Sequence, residues 1–426
     1  TLAKQAPLRH SRFGPYQSPK NNENQPTYYI ENIDGSDTKV FLDPKEFSAD
    51  GLASVSLLSH APNNKYVVYS VAKAGSDWQT IRIREIGGKD LPDSINGVKF
   101  SGAEWLEGGF FYNCYDEPQK GDELKGQNTG MKVKYHKLGY QPEQDVVVFK
   151  DEANPLRYYS IQVSQDKKFI FLTKSTGTDG FETWVCKSND FNRNVFKPIT
   201  KGFSPKLSII DNDGDNGFFA LSDVGTPNYQ LVKLIPADRD SFQSKVIVPE
   251  MKNALLDQVL KIKDQFILTY LENAQNKIKV CDLSGQNMRE LELPGIGTVS
   301  AMKADENGEF FQISYTSFTQ PTAILVFHRA KFGMIEEYYP AFNFSTEVEV
   351  QQVWYPSKDG TKVSMFLIHK KGLKKTGNNP TFLYGYGGFN ISLTPSFSTN
   401  YLWLIEQGGV VAIANLRGGS IGSISA

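Results

Sequence analysis

The chain has 426 residues, and its 46 Lys plus Arg against 47 Asp plus Glu give a formal net charge of -1. Such a balance gives no electrostatic reason to expect a nucleic-acid partner or an anionic membrane surface. Hydrophobic residues make up 39 % of the chain and charged residues 22 %, which is typical of a soluble globular protein and argues against intrinsic disorder.

The three cysteines, Cys114, Cys186 and Cys281, are odd in number and far apart, and no CxxC pair is present. This spacing argues against a disulfide framework or a zinc site, and a reducing compartment is the simplest interpretation. No HExxH motif, other ligand-spaced group or phosphate-binding loop occurs, so we expect neither a metal nor another cofactor. No apolar run of about 18 residues predicts a membrane helix, and no signal peptide is visible.

A strand pattern recurs along the chain from Thr27 onward. Each copy contains an aromatic-rich apolar strand, and in most copies a second, alternating strand follows it. The first aromatic residues of the seven copies are Tyr28, Tyr66, Phe110, Phe169, Phe218, Phe266 and Phe310, with a mean spacing of about 47 residues. A unit of this size with several strands is typical of one β-propeller blade.

The sequence therefore predicts a mainly β fold, with a seven-bladed β-propeller over residues 27–340 after an N-terminal segment, 1–26, that we leave without a firm assignment. The alternative is a large β-sandwich, or two all-β domains, with coincidental spacing. The recurring Tyr and Phe residues are expected to pack between blades.

The pattern changes after Tyr339. Residues 353–368 predict two strands around an Asp359-Gly360 turn, and Val410 to Ala414 is an apolar run suited to a buried parallel strand. Between them lies Pro380-Thr-Phe-Leu-Tyr-Gly-Tyr-Gly-Gly-Phe-Asn390. We therefore expect residues 341–426 to form the N-terminal part of an α/β domain.

Four strings resemble sequences of the prolyl oligopeptidase family: Ala74-Gly-Ser-Asp-Trp-Gln-Thr-Ile, Tyr355-Pro-Ser-Lys-Asp-Gly-Thr-Lys, Phe382-Leu-Tyr-Gly-Tyr-Gly-Gly-Phe-Asn-Ile-Ser and Asn415-Leu-Arg-Gly-Gly. The resemblance covers about residues 27–417. It implies a seven-bladed propeller that caps an α/β-hydrolase domain of the peptidase S9 type. The implied activity is that of a serine endopeptidase that hydrolyses short peptides on the C-terminal side of proline.

The resemblance also implies roles for three residues. Tyr386 donates its hydroxyl to the oxyanion of the tetrahedral intermediate, Phe389 lines the pocket for the substrate proline, and Phe100 contacts the peptide N-terminal to that proline. From the residues alone, a place in the core is the favoured interpretation of all three aromatics. Short proline-containing peptides are the expected partners, with no cofactor, nucleic acid or membrane, and we expect a cytoplasmic monomer.

A serine hydrolase of this type needs Ser, Asp and His in that chain order. The five histidines, His10, His60, His136, His328 and His369, come too early for the catalytic role, and we interpret them as ordinary strand or loop residues. Gly418-Gly-Ser-Ile-Gly422 matches the nucleophile-elbow pattern, but too few residues follow for the helix it requires, so Ser420 is interpreted as a loop residue.

The chain as given is therefore expected to be a fragment that lacks the triad and has no peptidase activity. One alternative is a propeller that works as a binding module or pseudoenzyme. Another keeps the fold but cleaves after basic residues.

Overall fold

The computed structural model describes residues 16–18, 27–30, 38–48, 50–63, 65–73, 75–116, 128–177, 180–193, 195–203, 206–237, 241–305, 307–331, 333–338, 347–388 and 391–418. These residues fall into two compact units. The N-terminal unit comprises the described residues of Arg9–Val224 and Val232–Lys245, and the C-terminal unit those of Gly225–Leu231 and Val246–Ala426.

Seven sheets follow one another between Tyr16 and Tyr338 in the described chain. In each sheet the strands are hydrogen-bonded in chain order, and the first two strands pair antiparallel. The first sheet has three strands, Tyr16–Ser18 (β1), Thr27–Ile30 (β2) and Lys39–Leu42 (β3).

The other six sheets have four strands each. The second and third sheets consist of Ser54–His60 (β4), Tyr66–Ala72 (β5), Gln79–Glu85 (β6), Asp90–Val98 (β7), Glu104–Leu106 (β8), Gly109–Cys114 (β9), Lys132–Lys137 (β10) and Val146–Lys150 (β11). The fourth and fifth consist of Tyr158–Val163 (β12), Phe169–Ser175 (β13), Phe181–Lys187 (β14), Lys197–Pro198 (β15), Leu207–Asn212 (β16), Phe218–Ser222 (β17), Gln230–Pro236 (β18) and Phe242–Val248 (β19). The sixth and seventh consist of Leu255–Ile262 (β20), Gln265–Glu272 (β21), Gln275–Asp282 (β22), Arg289–Leu291 (β23), Thr298–Ala304 (β24), Phe310–Thr316 (β25), Ala323–His328 (β26) and Met334–Tyr338 (β27). Short 3-10 turns span Pro44–Glu46, Pro142–Gln144 and Ser188–Arg193.

The predicted repeat is confirmed, because all seven aromatic markers lie on the second strand of a sheet. A second strand has a hydrogen-bonded neighbour on each edge. Most residues of β5, β9, β13, β17 and β21 are buried, whereas β25 is buried at alternate residues. All six residues of β9 are buried, as are six consecutive residues of β21. A strand covered on both faces has no solvent-facing residues, which explains its continuous apolar run. The first sheet also includes β1, which lies within the segment 1–26.

The eighth sheet has a different topology. It consists of Val348–Pro356 (β28), Lys362–Lys370 (β29), Thr381–Gly385 (β30) and Val410–Ala414 (β31), in the order β28-β29-β31-β30, and the helix Thr399–Glu406 (α1) precedes β31. The predicted hairpin around Gly360 is confirmed, with φ +83° at that glycine. β30 and β31 are parallel, and every residue of β31 is buried, as predicted.

The helix α1 supplies the crossover that a parallel strand pair requires. Its buried residues Leu402 and Ile405 pack into a core with Phe366, Val411 and Ile413. This β-α-β connection is the expected α/β arrangement. The expected boundary between residues 340 and 341 lies outside the described residues.

The three cysteines are buried and free. Burial raises the pKa of Cys186 to about 12 and that of Cys281 to about 11, so both thiols are protonated and unreactive at neutral pH. No helix in the described part of the chain is long and apolar enough to span a membrane.

A buried charged cluster lies in the N-terminal unit, centred on His136 of β10. The His136 side chain is fully buried, with Nδ1 2.8 Å from Asp145 Oδ1 and Nε2 3.2 Å from Asp93 Oδ2. Tyr112 donates its hydroxyl to Asp145, and the Gly139 N–H donates to Asp93. Burial by itself lowers the pKa of His136, but the hydrogen bonds and charges of the two carboxylates raise it above its usual value. His136 lies on a strand, as expected, but no sequence pattern indicates its two buried carboxylate partners.

We expect this cluster to make stability depend on pH. The pKa of His136 in the folded chain is above its ordinary value of 6.5, so its contribution to stability is complete below that pH and is lost as pH rises through the folded-state pKa. His136→Gln should remove this pH dependence and lower the free energy of unfolding by about 3–5 kcal/mol, because two buried carboxylates lose their cation.

Urea unfolding of the wild type and of His136→Gln at about pH 6 and about pH 9 measures both effects. His328→Gln is the matched control, since His328 is only half-buried and pairs with the Phe310 ring. A wild-type stability that does not fall between the two pH values would contradict the assignment.

Candidate functional site

Two glycine-containing loops begin side by side at one edge of the eighth sheet. β30 and β31 pair in parallel from Thr381↔Val410 to Gly385↔Ala414, so both strands end at the same edge. Residues 386–388 follow β30, and residues 415–418 follow β31. The carboxyl ends of parallel strands are where α/β sheets place their ligand sites.

The two loops are in contact through their glycines. Gly387 has φ +89°, and a Cβ built on it would lie 2.8 Å from Leu416 Cβ and 2.9 Å from the Arg417 carbonyl oxygen. Gly418 has φ +94°, and its Cβ would lie 2.8 Å from the Gly387 carbonyl oxygen. No side chain larger than hydrogen fits between these backbones, which explains why the sequence has glycine at both positions.

Tyr386 is exposed on this edge, with 42 % of its surface accessible. The N–H groups of Gly387 and Gly388, next to it in the chain, have no hydrogen-bond acceptor among the described residues. One phenolic O–H and two backbone N–H groups are thus available donors in consecutive residues. Donors of these kinds stabilise a developing oxyanion.

A buried polar pair holds the second loop. Asn415 is 3 % exposed and Ser364 is fully buried. The Asn415 backbone N–H donates to the Ser364 carbonyl, and its Nδ2 donates to the Ser364 hydroxyl at 3.1 Å. Arg417 pairs with Asp359 in the β28–β29 turn, and the backbone N–H of Thr361 together with Arg417 lowers the pKa of Asp359. The sequence motif contains Asn415, but only the structure shows its bond to Ser364.

Phe100 lies in the N-terminal unit, after β7. Its ring is 57 % exposed and lies edge-on to Tyr158, at a centroid distance of 6.4 Å. Its backbone is left-handed, with φ +54°. For a bulky residue this conformation is strained, and such strain concentrates at functional positions. The observed exposure shows that Phe100 is not a core residue.

Two other residues singled out from the sequence motifs, Phe389 and Ser420, lie outside the described residues. Tyr386 belongs to the C-terminal unit and Phe100 to the N-terminal unit.

His136 contacts two carboxylates, and no serine hydroxyl is hydrogen-bonded to its ring. His369 is buried, and its Nδ1 contacts the Lys370 carbonyl. Neither of these two histidines belongs to a Ser-His-Asp arrangement. In the part of the chain that the structure describes, no group of three or more His, Cys, Asp or Glu side chains is placed to hold a metal ion.

The described chain is a mainly β protein in which repeated sheets of consecutive strands are followed by a parallel strand pair with a connecting helix. Residues 3–331 match the family model described as "Prolyl oligopeptidase, N-terminal beta-propeller domain". The chain therefore belongs to the prolyl oligopeptidase family, and its N-terminal part is a β-propeller domain.

Relatives in other organisms match nearly the whole chain. It is 36 % identical to a prolyl endopeptidase of Elizabethkingia miricola over 97 % of this chain and 58 % of that protein. It is 30 % identical to a prolyl endopeptidase of Dictyostelium discoideum over 89 % of this chain and 57 % of that one. A solved structure from a study of two prolyl endopeptidases superposes with a TM-score of 0.81 at 29 % identity, covering 99 % of this chain and 61 % of the other. The chain thus spans somewhat less than two thirds of these proteins.

The glycine contacts yield a prediction for stability. Gly387→Ala should lower the free energy of unfolding by more than Gly377→Ala, which is the matched control. Gly377 has φ +83° but open space around its Cβ position, so it reports the backbone strain alone, about 1–2 kcal/mol. The clash with Leu416 should add about 1–3 kcal/mol at Gly387. Urea unfolding measures both variants, and equal losses would show that the two loops are not held in contact.

Proposed function

We propose that this chain is the propeller and the oxyanion-stabilising loop of a serine endopeptidase that hydrolyses short peptides after proline. In this proposal the seven sheets are the seven blades of a propeller over residues 27–340, and residues 341–426 open the hydrolase domain. The observation that carries the proposal is the exposed Tyr386 side chain, followed in the chain by the N–H groups of Gly387 and Gly388, which have no acceptor among the described residues. Family membership of the chain supports it.

The chemistry requires a donor set of this kind. When a serine hydroxyl attacks the prolyl carbonyl carbon, a histidine accepts the serine proton, and the carbonyl oxygen becomes an oxyanion. The Tyr386 O–H and the loop N–H groups donate to that oxygen, and they stabilise it most in the transition state, where the negative charge is largest. We place the triad outside this chain, because its five histidines come too early for the order Ser, Asp, His that this chemistry needs.

The two loops explain how the donors stay oriented. Gly387 is held against Leu416 and Arg417, and the Asn415–Ser364 pair fixes the start of that second loop. A donor that is already oriented costs no reorganisation when the charge develops. Phe389 is proposed to line the proline pocket, where an aromatic face suits the pyrrolidine ring.

Phe100 is proposed to contact the peptide N-terminal to the proline. Its exposed ring offers apolar contact area to a ligand. Its left-handed backbone costs stability, which a purely structural phenylalanine would have no reason to retain.

Tyr386→Phe in the complete protein should lower kcat by about 10²–10³ and leave KM nearly unchanged, because it removes one oxyanion donor and no ground-state contact. Steady-state hydrolysis of a Gly-Pro chromogenic substrate measures both constants. Tyr384→Phe is the matched control, since Tyr384 is also 42 % exposed and lies two residues earlier, in β30. Wild-type kcat in Tyr386→Phe would contradict the assigned role.

The same assay separates the alternatives. Purified residues 1–426 should give no turnover, and appreciable hydrolysis would contradict our placement of the triad. A complete protein that prefers Arg to Pro before the cleaved bond would contradict the prolyl assignment. A complete protein without hydrolase activity would favour the binding module.

Phe100→Gly should make the chain more stable while weakening peptide binding. Glycine adopts φ +54° without strain, so we expect a gain of about 1 kcal/mol in the free energy of unfolding of residues 1–426. In the complete protein, loss of the ring should raise KM about 3–10-fold for peptides extended before the proline, with little change in kcat.

Tyr140→Gly is the control, because Tyr140 is a similarly exposed aromatic of the N-terminal unit with a cation, Lys137, over its ring. A Phe100→Gly variant that is less stable than the wild type would contradict the backbone strain at Phe100. A variant with an unchanged KM would contradict the contact between Phe100 and the peptide.

A further inference from the structure

We propose that a hollow beside Phe100 binds an uncharged, hydrogen-bonding side chain of the peptide, such as that of Gln, Asn, Ser or Thr. The hollow has a volume of about 370 Å³ and lies within the N-terminal unit. Its size is in the range of small-molecule sites and accommodates a single amino-acid side chain. Its floor consists of four small residues and Leu58, all from β4 and β5, and its wall includes Asp77 and the Phe100 ring.

The floor is built by cross-strand pairing. Ser54 pairs with Ala72 and Ser56 pairs with Ser70, so these four side chains project from one face of two neighbouring strands. Four small side chains leave space that larger residues would fill.

The serine hydroxyls of this floor are available to a ligand. In the described chain, the hydroxyls of Ser54, Ser56 and Ser70 have no protein hydrogen-bond partner. Ser70 is only 2 % exposed, but its hydroxyl is not one of the fully buried polar groups without a partner in the described chain, so it remains open to the hollow. A ligand that donates to and accepts from these hydroxyls would make hydrogen bonds that the protein itself does not supply, and an amide or a hydroxyl can do both.

The wall selects against charged ligands. The Asp77 carboxylate lies 3.3 Å from Lys99 Nζ, and Lys99 is nearly buried. The same ammonium contacts Asn128 at 3.4 Å and lies 5.3 Å from the Phe100 ring centroid. Asp77 is the charged member of the described lining, and the neighbouring Lys99 ammonium pairs with it, so no described lining residue offers an unpaired charge to an acidic or basic side chain. Desolvation then disfavours a charged ligand.

The position of the hollow beside Phe100 indicates which part of the peptide would bind in it. This step rests on the proposed function, in which Phe100 contacts residues N-terminal to the proline. A side chain from that same segment would lie against the exposed ring and extend into the hollow. The site would add selectivity for a polar residue upstream of the proline.

Binding to residues 1–426 tests the proposal without any need for catalysis. The probes are four peptides, Ala-Xaa-Gly-Pro-amide, with Gln, Leu, Glu or Lys as Xaa, titrated by ligand-observed NMR. We expect the Gln peptide to bind about 3–10-fold more tightly than the Leu peptide, and more tightly than both charged peptides. The double variant S56A/S70A should reduce the affinity for the Gln peptide to that of the Leu peptide, which should itself be unchanged.

Ser59→Ala is the matched control, because Ser59 lies on the same strand but pairs with Val68, away from the floor. A melting midpoint close to that of the wild type shows that S56A/S70A folds, and Ser56→Ala alone, at an exposed position, gives a second test. The proposal would be overturned if the Gln and Leu peptides bind equally well, or if no peptide binds. It would also be overturned if both S56A/S70A and Ser56→Ala retain the selectivity for the Gln peptide. A complete protein that fails to cleave Gly-Pro substrates, while residues 1–426 still bind the Gln peptide selectively, would overturn the proposed function and leave the site standing.

Discussion

Burial of the second strand of each sheet is the constraint on which most of this structure depends. The largest fully buried side chains include Phe110, Phe171, Phe266 and Phe311, and all four lie on second strands. One sheet alone cannot cover such a strand on both faces. In the N-terminal unit, the Phe171 ring packs edge-on against Phe218 of the following sheet at 5.2 Å. Each large apolar side chain removed from water contributes about 1.5–3 kcal/mol, so successive sheets stabilise one another.

This constraint also decides how much of the fold the sequence predicts. Second strands such as β9 and β21 are buried on both faces, and β31 is too, so continuous apolar runs identified them directly, whereas β25 alternates buried and half-buried residues. First strands are half-exposed, and β4 shifts register between Leu57 and Ser59, so they carry no clear alternation. The strand β1 has three residues, which is too short for any periodic signal.

The candidate site was predictable only where a contiguous motif encodes it. Tyr386 and its glycines form one string, and the structure shows why glycine is needed at Gly387 and Gly418. Contacts between distant segments had no sequence signal. His136 and Asp93 are separated by 43 residues, as shown by the hydrogen bond that joins them, and Asn415 and Ser364 by 51. Serines on a strand, such as Ser70, look the same in sequence whether they face a hollow or a neighbouring side chain.

The role proposed for Tyr386, stabilising the oxyanion formed on a prolyl carbonyl, is central to the proposed function. The most direct measurement is a crystal structure of the complete protein treated with a peptide that ends in a proline aldehyde, whose serine adduct carries the tetrahedral oxygen. We predict the Tyr386 hydroxyl at about 2.6–3.0 Å from that oxygen, a normal O–H···O separation. An adduct oxygen bound by other donors, with Tyr386 beyond hydrogen-bond distance, would contradict this role.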